Sequence, residues 1–240
     1  MEREIGNIVF CEIDKGSFIR GSSSAPEEYP QKSIYLSEYL ISKYPITNEQ
    51  YSMFVEATGY RVPPTFSNDR FNAARQPVVG VSWYDAASFC KWFSTKFGVI
   101  AALPTEAQWE KAARGLDGKT YPWGDAAPTS RRVNVNSYVG KTTEVGMYDN
   151  CSDFGCYDML GNIWEWCDDF YDERYYKSCP DRNPHNEVSA RYRVIRGGSW
   201  RSDLFRATCA HRCFYNPNVR SDRHGFRIAV DGCTGDASAR

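Results

Sequence analysis

The sequence predicts a single α+β domain over residues 1–240. Three observations carry that expectation. Paired helix start and stop signals occur only in the first half of the chain. After Gly115, short β-like runs alternate with Gly, Asn, Asp and Pro. No tandem repeat, low-complexity tract or Pro/Ser-rich linker divides the chain.

The first helix is read from "TNEQYSMFVEATG". Thr47 and Gln50 stand at capping-box spacing, Tyr51, Phe54 and Val55 share a face, and Gly59 stops the turn. "SWYDAASFCKWFSTKFG" repeats the device, with Ser82 as cap, Asp85 in the first turn, Phe89, Phe93 and Phe97 at helical intervals, and Gly98 at the end. "TEAQWEKAARG" does so again, with Thr105 capping, Gln108 answering, Trp109 and Ala112 or Ala113 inward, and Gly115 closing. Beyond Gly115 no helix is predicted. The best strand candidates are "GNIWEW", "VIRGGSW" and "GFRIAV", set among long loops rich in Trp and Tyr. Loops of such length are commonly functional, and ones so aromatic are not of disordered composition.

Bulk properties exclude several function classes. A net charge of -1 leaves no electrostatic footprint for nucleic acid or anionic lipid. No apolar run approaches the roughly 20 residues of a membrane helix, and the acidic start "MEREIGNIVFCEIDKG" is unlike a signal peptide. The expectation is a cytoplasmic protein with no membrane insertion and no nucleic-acid partner. Its nine Cys include no C-x-x-C pair and no zinc spacing, so thiols in a reducing compartment are the plain reading, with one bridge, Cys151 to Cys156, left open. No nucleophile elbow or phosphate-cradling loop is present. Asp168, Asp169, Asp172 and Glu173 read either as an acid/base group or, more commonly for such a cluster, as a solvated acidic loop.

Seven segments in order, "YPITNEQYSMF", "PVVGVSWYDAASFCKWF", "LPTEAQWEKAARG", "YPWGD", "YDMLGNIWEW", "RVIRGGSW" and "GFR", run almost end to end. On these the chain resembles the formylglycine-generating-enzyme (sulfatase-modifying-factor) family, which implies a variant of the C-type-lectin fold. That family includes oxidases, sulfoxide synthases and binding domains, so fold alone does not name the function. In its oxidases, two thiols shortly after the Gly-Gly-Ser-aromatic motif hold Cu(I). Here Arg201 to Thr208 contain no Cys, and the first thiols, Cys209 and Cys213, come too late. The sulfoxide synthases use iron on three His supplied largely by a preceding helical domain; this chain has only His185, His211 and His224, with no H-x-x-x-H. Neither copper nor iron is expected, and no catalytic residue is assigned.

The resemblance does imply a structural Ca²⁺ on Asp158, Gly161, Ile163 and Glu165, two side-chain and two main-chain oxygen donors of the hard kind Ca²⁺ takes. The alternative is a plain turn and strand, with Trp164 and Trp166 inward and Glu165 solvated. A second family site would start at Asn134, but the acidic loop that completes it is missing.

The family also contains variable proteins of diversity-generating retroelements, whose segment from near "RGGSW" to near "GFR" is rewritten at adenines. Template Asn codons cannot then yield Lys, Glu, Gln, Met or Trp. These types make up 38 of 240 residues, so residues 201–224 should hold about four, and hold none. The resemblance therefore implies a non-catalytic binding protein. Its partner would be a protein, and its ligand-binding residues Arg201, Ser202, Asp203, Phe205, His211, Cys213, Phe214, Tyr215, Ser221, Asp222, Arg223 and His224. Aromatic anchors, hydroxyls and both charge signs suit recognition. Five Arg against two Asp in this window point to an acidic partner, while Phe205, Arg206, Arg212 and Arg220 read equally well as internal props. The alternative function is a metal-dependent oxidase or sulfoxide synthase with rearranged ligands. An interaction module without a diversified face is a third reading.

Overall fold

The computed structural model describes residues 1–204 and 207–231. Five strands come first, β1 (Glu2–Ile5), β2 (Ile8–Ile13), β3 (Gly16–Arg20), β4 (Lys32–Leu36) and β5 (Tyr39–Ser42). Next come α1 (Asn48–Thr58), α2 (Trp83–Phe97), β6 (Ala101–Ala102) and α3 (Glu106–Arg114). The second half contributes β7 (Trp164–Phe170), the short α4 (Tyr175–Ser178), β8 (Arg193–Arg196), β9 (Cys213–Tyr215), β10 (His224–Gly225) and β11 (Ala229–Asp231).

The three expected helices form for the expected local reasons. Thr47, Ser82 and Thr105 each cap through a complete capping box, and Gly59 and Gly98 end their helices in the left-handed conformation. The sequence reading of the strands needs correction. β-structure is not confined to the second half, because five strands occupy the first 42 residues. It is not all antiparallel either, because β10 pairs with β7 in parallel. α4 is a further departure, a single turn where no helix is expected.

A five-stranded sheet runs β1-β2-β5-β11-β6, so the last strand lies between β5 and β6. A second sheet runs β10-β7-β8-β9, and β3 and β4 form a hairpin. The aromatics fill the space between these layers. Tyr51, Phe54, Phe89, Phe93 and Phe226 are all buried in one cluster, with Tyr51 stacked on Phe89 at 5.8 Å and Phe226 edge-on to Phe89 at 5.4 Å. Trp109, Met159 and Leu160 centre a second cluster, and Trp200 packs with Phe71, Val79 and Ile163 in a third. Among the described residues no helix is long and apolar enough to cross a membrane.

Candidate functional site

The segment between β8 and β10 is held at both ends and along its length by buried groups. At its start Gly197 has φ +94, and a Cβ there would meet the Met159 carbonyl oxygen at 2.9 Å, so the position requires glycine. Trp200 is buried, and its indole N–H donates to the Asp222 carbonyl at 3.1 Å, tying the two ends together. Asn136 adds two more ties, its N–H to the Ser202 carbonyl and its side-chain oxygen accepting from Leu204 N–H.

Beneath the segment lies a network of buried charges. Arg196 reaches Glu106 at 3.2 Å and Glu110 at 2.7 Å while donating to the carbonyls of Cys209 and Ala210. Arg212 pairs with Glu106 through Nε at 2.8 Å and Nη2 at 3.0 Å, and donates to the Glu27 carbonyl. Arg220 binds Asp85, the same carboxylate that completes the α2 cap. Arg212 and Arg220 are thus props, as one of the two sequence readings holds, and their forks satisfy carboxylates and loop carbonyls at once. Phe205 and Arg206 lie outside the described residues.

The other candidate binding residues fall on a connected surface. Arg201 is exposed, lies over the Trp200 ring at 4.4 Å and approaches Asp222 to 3.9 Å. Asp203 is exposed, and Ser202 is half-buried with its hydroxyl accepting from Ser199 N–H. Ser221, Asp222 and Arg223 are half-buried on the facing stretch. On β9, Phe214 and Tyr215 are 40% and 38% exposed. Cys213 beside them is half-buried. Half-buried His211 packs on Trp164 at 5.9 Å, and the Trp164 N–H donates to the Arg223 carbonyl.

His224 departs from this face. It is buried between Trp166 and Tyr215, and burial together with the adjacent Arg223 lowers its pKa to about 3, so it is neutral and cannot meet a partner. Two aromatics outside the predicted window extend the surface instead. Tyr171 and Tyr192 flank Phe214 at ring distances of 4.3 Å and 4.9 Å. Nothing near them in sequence marks this role, because β7 and β8 bring them together only on folding.

The residues expected to hold Ca²⁺ are otherwise engaged. Glu165 is buried rather than solvated, and both of its oxygens are used: Oε2 accepts from Arg227 Nε at 2.6 Å and Trp109 Nε1 at 2.8 Å, Oε1 from Arg227 Nη2 at 2.9 Å. Asp158 accepts from Gly146 N–H at 2.6 Å, and burial pushes its carboxyl up to about 6. The Gly161 carbonyl, one of the two main-chain donors expected, accepts from the Ile163 N–H at 2.7 Å. A carboxylate clamped by a guanidinium does not fit a Ca²⁺ ligand set, and Arg227 supplies the charge that such an ion would bring.

Other candidate chemistry is dispersed as well. Cys209 is fully buried in the Trp109 cluster, where burial raises its thiol, while Cys213 lies against the Phe89 cluster. Cys151 and Cys156 are free thiols. In the acidic stretch after β7, Asp169 is not solvated: it is buried, caps α3 through Glu106 N–H at 2.7 Å and accepts from Asn186 N–H. Asp168 pairs with His185 at 3.2 Å, and Asp172 and Glu173 are exposed. Among the described residues no group of three or more His, Cys, Asp or Glu is placed to hold a metal ion.

Comparison with known proteins agrees with this architecture. The chain is 36% identical over 91% of its length to the serine/threonine-protein kinase Pkn1 of Chlamydia trachomatis, and covers 38% of that protein. It is 34% identical to the formylglycine-generating enzyme of Streptomyces coelicolor, over 77% of this chain and 62% of the enzyme. The chain thus spans well under two thirds of the chlamydial relative it matches. In three dimensions it superposes on Treponema denticola variable protein 1 with a TM-score of 0.82 at 22% identity, covering 96% of this chain and 98% of the other, a likeness of fold. The model of the sulfatase-modifying factor enzyme 1-like domain matches residues 5–232, and the chain belongs to that family.

Proposed function

We propose that this domain is a non-catalytic recognition module that binds a protein through the surface formed by residues 201–203, 211, 213–215 and 221–223 together with Tyr171 and Tyr192. The observation that carries this reading is the exposure of two aromatic side chains, Phe214 and Tyr215, on an edge strand above a rigid bed of buried ion pairs. Rigid aromatic anchors lose little entropy on binding, and they dominate recognition energetics. The full burial of Cys209, which raises its thiol, supports the same reading, since an oxidase would need accessible thiolates for Cu(I). Similarity to one part of a longer kinase supports a module that serves a larger protein.

Two experiments test this. The DNA flanking the coding sequence should hold a near-copy of the codons for residues 196–227 that differs only at adenines and lies beside a reverse transcriptase; without such a copy the diversified face is withdrawn. Copper-loaded protein should not oxidise a cysteine-containing peptide. Turnover that disappears in Cys209→Ser or Cys213→Ser would overturn the non-catalytic assignment.

A further inference from the structure

A cleft of about 460 Å³ opens between the loop carrying Ser22 to Glu28 and the stretch Thr208 to His211. Its size falls within the range of small-ligand sites, about 300–1,000 Å³, but its lining is polar. The loop is fixed rather than loose: Gly21 N–H donates to Glu110 at 2.7 Å, Arg114 donates to the Gly21 carbonyl at 2.7 Å, and Arg212 donates to the Glu27 carbonyl at 2.9 Å. Glu28 lines the cleft although it is only 4% exposed. Its Oε2 accepts from the Ser22 hydroxyl. For Oε1 the facing group is the His211 imidazole, whose Nδ1 lies 3.8 Å away, beyond hydrogen-bond length. That oxygen retains capacity for a further donor.

Among the described residues that line the cleft, negative charge is left over. Glu27 and Glu28 both line it. The cation among the lining residues, Arg114, is spent on Glu110 and on the carbonyls of Gly21, Gly118 and Lys119. Burial opposes the charge on Glu28, yet Ser22, His211 and the more distant Arg196 outweigh it and hold its carboxyl below the usual range. Among the described residues, the arginines of the neighbouring segment all have acidic partners. Arg212 and Arg220 are paired inward, and Arg201 and Arg223 both approach Asp222, at 3.9 Å and 3.8 Å.

We propose that this cleft binds an organic cation, an ammonium or guanidinium group, presented as a lysine or arginine side chain of the protein partner. The proposal deepens the binding reading above and rests on it for the nature of the partner; the cation site itself is testable alone. It reverses the acidic partner that the arginine content of residues 201–224 implies.

The test titrates ¹⁵N-labelled protein with N-acetyl-lysine N-methylamide and, in parallel, with the neutral N-acetyl-norleucine N-methylamide. Saturable shifts confined to the amides of residues 22–28 and 208–211, at least tenfold weaker with the norleucine probe, are expected. Equal response to the two probes, or shifts centred elsewhere, would overturn the site. Glu28→Gln should abolish the lysine response. Should that variant lose the loop fold, Glu27→Gln decides, with a two- to fivefold weaker response expected and unchanged affinity overturning the proposal. Spermidine binding more than tenfold tighter than the capped lysine would overturn the side-chain source. Phe214→Ala should leave the lysine response intact, so failure of the cleft and failure of the binding face are read separately.

Discussion

Removing one charge from a buried pair strands the other, which typically costs about 3–5 kcal/mol. Arg227 and Glu165 are both essentially inaccessible and share two hydrogen bonds, so Arg227→Met is expected to lower stability by about that amount in urea denaturation. Added Ca²⁺ should leave the wild-type midpoint unmoved, because both Glu165 oxygens already accept from Arg227. Asp158 and Asp169 bring a pH dependence of opposite sense to that of most carboxylates. Each is raised by burial from an ordinary 3.8 to about 6, with nearby Glu106 adding to the effect at Asp169. A carboxyl raised on folding favours the folded state fully below its unfolded pKa, and that stability is lost as pH rises through the folded value. Each of them should therefore subtract about 3 kcal/mol between pH 4 and 6, and Asp158→Asn, which keeps an acceptor for Gly146 N–H, should flatten part of that fall in thermal unfolding. Residue identities were readable from sequence here, but partnerships were not. Glu165 stands in a recognisable motif, yet the group that claims it is 62 positions away. His224 likewise looked like a surface residue until the parallel pairing with β7 buried it.

Elements were legible where their signals are local. A capping box and a terminal glycine lie within one helix, and all three helices follow from them. Ser82→Ala is expected to cost about 1 kcal/mol in chemical denaturation, as N-cap losses commonly do. Asp85→Ala should cost more, since Asp85 also holds Arg220 and accepts from Tyr60 at 3.0 Å. Among the first five strands, two carry no alternating pattern to read. β5 is buried along its whole length and so shows no alternation, while β1 is exposed along most of its length and pairs only at the sheet edge. α4 is one turn long and leaves no periodic trace.

At the scale of the whole molecule, the order of motifs foretold the fold, and the aromatic residues supply much of its core. The proposed binding surface was legible in part: its composition marks residues 201–224, but Tyr171, Tyr192 and the Glu28 cleft belong to other stretches of chain. Phe214→Ala and Tyr215→Ala are expected to weaken partner affinity at least tenfold in calorimetry while leaving the unfolding transition near its wild-type position. Val230→Asp should instead abolish cooperative unfolding, because Val230 is buried at the centre of β11 between two other strands. The place of β11 also governs when the domain can first exist. β5 and β6 do not touch each other, and each keeps an open edge until residues 229–231 arrive to fill the gap. A ribosome must therefore deliver β11 before this sheet can shut, and chaperones that shield bare strand edges should engage the earlier strands until it does.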